Sequence, residues 1–216
     1  MLKIKRFLII PAVMLAAAFA LSGCFADFGG AQPQQTNPPE KIYRSVDEFT
    51  KAVAAAKADT AAPDVENLKG LTRYYDLKEL PEGATLDYIK VSTVAVRVAY
   101  KFGETSDESF DNKTELVWYR SVSTSDYLSN VVKGLTDYDT LSLNGAEYLH
   151  TIPDISYAVT PEPGDTAAAT PTPRVEKYCQ FLHWVKDDAA FMCAVPLGFT
   201  NEDIGKYCVG EKKDLN

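Results

Sequence analysis

The spacing of hydrophobic positions changes once along this chain. Behind Ser45, hydrophobic residues recur at helical intervals, with Phe49, Ala52, Val53 and Ala56 on one face. Ser45-Val46-Asp47-Glu48 has the spacing of a capping box, which satisfies two of the backbone N–H groups that a helix start leaves unpaired. A helix over residues 45–58 is therefore predicted, its apolar stripe against a sheet. Residues 59–63 break it, and residues 65–71 have room for one further short helical turn.

Beyond the turn Leu80-Pro81-Glu82-Gly83 the period becomes two, and residues 86–91, 94–102 and 114–122 read as strands. In the second of these Val94, Val96, Val98, Tyr100 and Phe102 share one face, predicted as core. Thr93, Ala95, Arg97, Ala99 and Lys101 share the other, predicted as at least partly wet. Residues 125–133 fit either a short helix or an irregular edge segment. Asn144-Gly145 between 138–143 and 146–152 is a hairpin signal, because a type I′ turn needs positive φ at both central residues. A further strand over 174–186, a tight turn at Asp187-Asp188, a strand over 189–195 and a helix opened by Thr200 and ending near Val209 complete the pattern. These elements predict an α+β domain: an antiparallel sheet of about six or seven strands, with the N-terminal and C-terminal helices packed on one face.

Composition divides the chain before that pattern begins. Residues 1–23 place Lys3, Lys5 and Arg6 ahead of an apolar run that ends in Leu21-Ser22-Gly23-Cys24, a signal-peptide layout. Small residues before a cysteine resemble the lipobox read by bacterial diacylglyceryl transferase and lipoprotein signal peptidase. That resemblance implies cleavage before Cys24 and acylation of its thiol, with the protein held at the extracytoplasmic face of the cell membrane. Two acyl chains suffice for stable anchoring, since each buried methylene is worth about 0.8 kcal/mol. Residues 24–41 are rich in Gly, Pro, Gln and Asn and read as a flexible tether. Residues 42–216 then form one domain, and the Pro-, Thr- and Ala-rich stretch 160–173 is a loop within it, because too little chain follows to build a second core.

Charge narrows the partners. The chain carries 22 basic and 30 acidic residues, and without the three basic residues of the signal the net charge is near −11. This argues against nucleic acid and against electrostatic docking on anionic lipid, both of which need clustered Lys and Arg. The partner expected is the membrane, through Cys24, with a protein or cell-wall partner unidentified.

Tyr74-Tyr75, Leu80-Pro81-Glu82-Gly83, Leu86, Ile89-Lys90-Val91, Tyr100, Trp184-Val185-Lys186-Asp187, Phe191, Pro196 and Phe199-Thr200 through Tyr207-Cys208 resemble a group of uncharacterised Gram-positive, clostridial-type lipoproteins. These are similar to the domain of unknown function at the extracytoplasmic end of some anti-sigma-factor proteins. They are remotely similar to the outer-membrane lipoprotein-sorting fold, which implies a curved antiparallel sheet. The likeness covers roughly residues 71–209 and implies no catalytic residues. One departure is Ala189 after Asp188, where the turn pattern favours Asp-Gly.

Few residues carry candidate chemistry. With Cys24 acylated, Cys179, Cys193 and Cys208 remain, an odd number in a compartment where disulfides persist. The register of the predicted hairpin sets Cys193 opposite Leu182, too far from Cys179 for a bridge. Cys193 with Cys208, or Cys179 with Cys208, stays open, as does a set of three buried thiols. His150 and His183 lack metal-ligand or nucleophile spacing, so neither a catalytic residue, a metal nor a cofactor is expected. The expected role is a non-catalytic binding or sensor module; the alternative is an amphiphile or lipoprotein carrier.

Overall fold

The computed structural model describes residues 40–58, 67–103, 112–158, 173–176 and 179–215. Cys24, the signal segment and most of the tether therefore lie outside the described residues, as do most of the loop 160–173 and the loop joining the second and third predicted strands. The class is α+β, with three helices and one large antiparallel sheet among the described residues.

That sheet has eight strands rather than six or seven. Its members are β1 (Lys41–Tyr43), β3 (Thr85–Val91), β4 (Ala95–Lys101), β5 (Lys113–Tyr119), β6 (Asp139–Leu143), β7 (Ala146–Thr151), β10 (Gln180–Lys186) and β11 (Ala189–Val195). Their spatial order is β1-β3-β4-β5-β11-β10-β7-β6. A separate two-stranded sheet pairs β2 (Arg73–Leu77) with β12 (Gly210–Asp214), and another pairs β8 (Ile155–Ala158) with β9 (Pro173–Glu176). The strand predicted over 174–186 is thus two pieces with different partners. β1 begins at Lys41, inside the stretch read as tether, because Lys41, Ile42 and Tyr43 complete the ladder of β3.

The helices are α1 (Val46–Ala58), α2 (Thr124–Gly134) and α3 (Asn201–Tyr207). At α1 the Ser45 hydroxyl accepts from the Glu48 N–H at 3.1 Å, while the Glu48 carboxylate reaches back to the Arg44 N–H at 2.8 Å, one residue earlier than a capping box requires. Thr200 and Asp203 form the full reciprocal box at α3. α3 stops at Tyr207, before the predicted end, because β12 starts at Gly210.

Alternation along the strands gives the sheet two faces, both of them buried. Val96, Val98, Leu116, Trp118, Leu182, Trp184, Phe191 and Cys193 belong to the main core, together with Phe49, Val53 and Ala56 of α1, Tyr75 and Leu77 of β2, and Ile204 of α3. Rings fill this layer: Trp184 stacks on Phe191 at 5.1 Å between centroids, and Tyr75 meets Phe191 edge-on at 4.9 Å. Ala95, Val117, Cys179, Phe181, Met192 and Ala194 form a second cluster on the other face. On the face predicted as at least partly wet, Ala95, Arg97 and Ala99 are buried, whereas Thr93 just before the strand and Lys101 at its end are exposed. Arg97 is accommodated by an ion pair with Glu115, 3.2 Å away on the neighbouring strand. Val94 precedes the strand and packs on the second cluster, not with Val96.

Candidate binding groove

A concavity lies where the ladder between two neighbouring strands stops. Registered pairs between β10 and β7 run only from Phe181↔Thr151 to His183↔Leu149, although β10 continues to Lys186 and β7 begins at Ala146. Beyond that point a half-open groove of about 1010 Å³ lies between the β6–β7 turn, the end of β10, α3 and the start of β12. Each wall follows from local sequence. Asn144 and Gly145, at φ 52° and 78°, make the positive-φ turn that their side chains tolerate best. The Asn144 amide then donates to the Gly205 carbonyl at 2.8 Å, fastening the hairpin tip to α3.

Tyr148 and Trp184 line the groove from the core side, their rings 5.2 Å apart. The Tyr148 hydroxyl donates to the Cys208 carbonyl at 3.3 Å, a second tie between β7 and the end of α3. Charged residues of both signs, Lys78, Lys186 and Lys206 with Glu79, Glu147 and Glu202, share the lining with apolar Leu128, Leu143, Val185 and Val209. Such a lining suits a ligand that offers charged or hydrogen-bonding groups together with apolar surface. None of these six charged side chains was read from the sequence as a site residue, because they come from four separate segments that only the fold brings together.

Cys179, Cys193 and Cys208 are all free, buried thiols, two of them in the main core and one in the second cluster. Cys193 and Cys208 both belong to the main core and are fully buried, and burial pushes the Cys193 thiol well up. Cys179 sits in the cluster on the opposite face, its thiol raised to about 12 by burial and then by Glu115. The Leu182↔Cys193 register agrees with the hairpin read from the sequence, and a Cys179–Cys208 bridge would have to pass through the sheet.

His183 lies opposite Met192, on the face that Cys193 does not share, so the two cannot act as base and nucleophile. Its Nδ1 lies 2.9 Å from the Tyr127 hydroxyl, and burial lowers its pKa to about 4, keeping the ring neutral. Asp188 is paired with Arg73 at 3.1 Å. Among the described residues there is no group of three or more His, Cys, Asp and Glu side chains placed to hold a metal ion, and no helix is long and apolar enough to cross a membrane. No protein-family model, no curated protein and no solved structure matches this chain.

Proposed function

We propose that this chain is a lipid-anchored extracytoplasmic binding module, held at the membrane by an acylated Cys24 and presenting the β7–β10 groove to a protein or cell-wall partner. The observation that carries the reading is the groove itself: an open cleft of about 1010 Å³ with lysines and glutamates around it and its walls tied by Asn144 and Tyr148. A fixed cleft of mixed polarity can hold a polar chain without reorganising, which keeps the ordering cost of binding low. The N-terminal and C-terminal helices, both contributing to the main core, would brace the sheet that presents it. The residues around His183 support a non-catalytic role, since its ring is buried, neutral and already bonded to Tyr127. The resemblance to clostridial-type lipoproteins and anti-sigma-factor ends points in the same direction.

The carrier alternative needs an internal apolar space for acyl chains. Ring-to-ring packing of Tyr75, Trp118, Tyr148, Trp184 and Phe191 occupies the middle of the main core, which favours a surface groove over an acyl tunnel. Native mass spectrometry of the chain from Glu40 separates the two readings: no bound lipid is expected, and a stoichiometric acyl-chain adduct would turn the assignment to the carrier. Cys24→Ala tests the anchor. Loss of processing and of detergent partitioning is expected, whereas unchanged processing at the same residue would end the lipidation reading.

A further inference from the structure

We propose that the groove takes an extended polypeptide segment of a partner protein, whose main chain bonds to a rung that the large sheet leaves open between Glu147 and Val185. The proposal rests on the reading of this groove as a binding site and names the chemistry of its occupant. Two hairpins fix which main-chain groups face it. Leu143 and Ala146 close the two-residue turn Asn144-Gly145, and Lys186 and Ala189 close the two-residue turn Asp187-Asp188. In such hairpins the closing pair exchanges both hydrogen bonds, and bonding then alternates along each strand. Ala146, Tyr148 and His150 therefore bond to β6, while Lys186, Trp184 and Leu182 bond to β11. The residues between them turn their main-chain groups the other way: Thr151 to Phe181, Leu149 to His183, and next Glu147 to Val185. The first two of these pairs are formed and the third is not, since the register ends at His183↔Leu149. Both residues of the open rung line the groove, where Val185 is half-buried and Glu147 exposed.

An open rung offers N–H donors and carbonyl acceptors side by side, the pattern that a peptide main chain satisfies. Its surroundings suit the side chains of such a segment. An extended chain sends alternate side chains to opposite faces, and the groove has apolar surface on each. Val185 shares its face with Phe181 and His183; α2 lies on that side, with Tyr127 bonded to His183, and brings Leu128 to the groove. Trp184 and Tyr148 belong to the opposite, main-core face. Lysines and glutamates on the rim accommodate side chains of both signs. A glycan fits less well, because Trp184 and Tyr148 are only 1 % and 3 % exposed and have no open ring face for a sugar to stack on. Only Lys186 and Ala146 separate the rung from the two turns, so a short stretch of the segment enters the fork and its remainder lies along α3.

Hydrogen exchange on the full-length protein, resolved to single amides by mass spectrometry, tests both the rung and its occupant. In the free protein the Glu147 amide is expected to exchange as an exposed group, whereas the Leu149 and His183 amides of the last formed rung are protected. Protection of Glu147 equal to that of Leu149 would show the rung closed and overturn the proposal. Random-sequence hexapeptides at about 1 mM should slow exchange at Glu147. Peptoids with the same side chains have no main-chain N–H and should bind about fivefold more weakly, the value of one neutral hydrogen bond. No slowing by the hexapeptides, or equal slowing by the peptoids, would overturn main-chain recognition. Chitotetraose separates this failure from that of the groove itself. Slowing at Glu147 by the sugar and not by the hexapeptides refutes a polypeptide occupant and leaves the groove standing as a binding site, whereas slowing by neither removes both readings.

Discussion

Replacing Gln180 with leucine should destabilise the protein by about 2 kcal/mol, although the two side chains are of similar size. Gln180 opens β10 and is buried. Its amide nitrogen donates to the carbonyls of Pro196, Leu197 and Phe199 at 3.0, 3.0 and 2.9 Å, and its amide oxygen lies 2.7 Å from His150 Nε2. Two N–H groups shared among three acceptors are equivalent to about two full hydrogen bonds, each worth roughly 1 kcal/mol net. The Pro196 carbonyl also accepts from the Phe199 N–H at 3.2 Å, so it keeps a donor in the variant and adds no further desolvation cost. His150 is half-buried and regains water, so its loss is smaller. The apolar gain from leucine offsets the smaller loss at His150, which leaves about 2 kcal/mol. With a urea slope of roughly 2–3 kcal/mol/M, the unfolding midpoint should fall by about 1 M at unchanged slope. A shift below about 0.2 M would show that the turn after β11 is held by other contacts and that Gln180 is incidental.

Acid should weaken the fold through His183. Its folded pKa of about 4 lies below the ordinary 6.5, so the unfolded chain binds more protons between those values. The contribution is intact above pH 6.5 and lost as pH falls through 4, by about 3 kcal/mol in all; in His183→Gln the fall of the urea midpoint between pH 7 and 4 should be visibly smaller. Gly145→Ala meets no steric neighbour but forces a Cβ onto φ +78°, which should cost about 1 kcal/mol and lower the thermal midpoint by roughly 2–4 °C. Asn144→Ala loses the tie to Gly205 as well as the tolerance of positive φ, and about 2 kcal/mol is expected in the same assay.

The parts of this fold that were legible in the sequence are those where one physical signal dominated. Asn144-Gly145 fixed a hairpin because few residue pairs accept two positive φ angles, and Thr200 through Asp203 marked a helix start that the structure completes with a reciprocal cap. β2 carried no such signal. Tyr74, Tyr75, Asp76 and Leu77 are all buried, so the alternation that betrays a half-exposed strand is absent. Asp76 also looks like a surface residue until Tyr100 is seen donating its hydroxyl to both carboxylate oxygens. β12, with Glu211, Lys212, Lys213 and Asp214, reads as a charged tail and becomes a strand only because β2 offers it an edge. The buried second face was hidden for a related reason: Arg97 and Glu115 are conspicuous charges apart and a satisfied pair together. The groove was beyond reach of any local pattern, since its existence depends on where the β7–β10 ladder stops.

That stopping point gives the C-terminal segment its role. Once β10 and β7 part company, nothing in the large sheet itself defines the width of the gap between Trp184 and the hairpin tip; α3 does. Gln180 fixes the chain entering the helix by holding the carbonyls of 196, 197 and 199, Asn144 holds its interior at Gly205, and Tyr148 holds its exit at Cys208. The helix has only seven residues, too few to be stable alone, so these anchors rather than its propensity keep it helical. Perturbing any one of them should therefore alter the groove and the global stability together, whereas changing Lys206 or Glu202 on the rim should alter the groove alone. A rim substitution that destabilised the fold as much as Gln180→Leu would contradict this division, and would mean that the charges around the groove are structural rather than available to a partner.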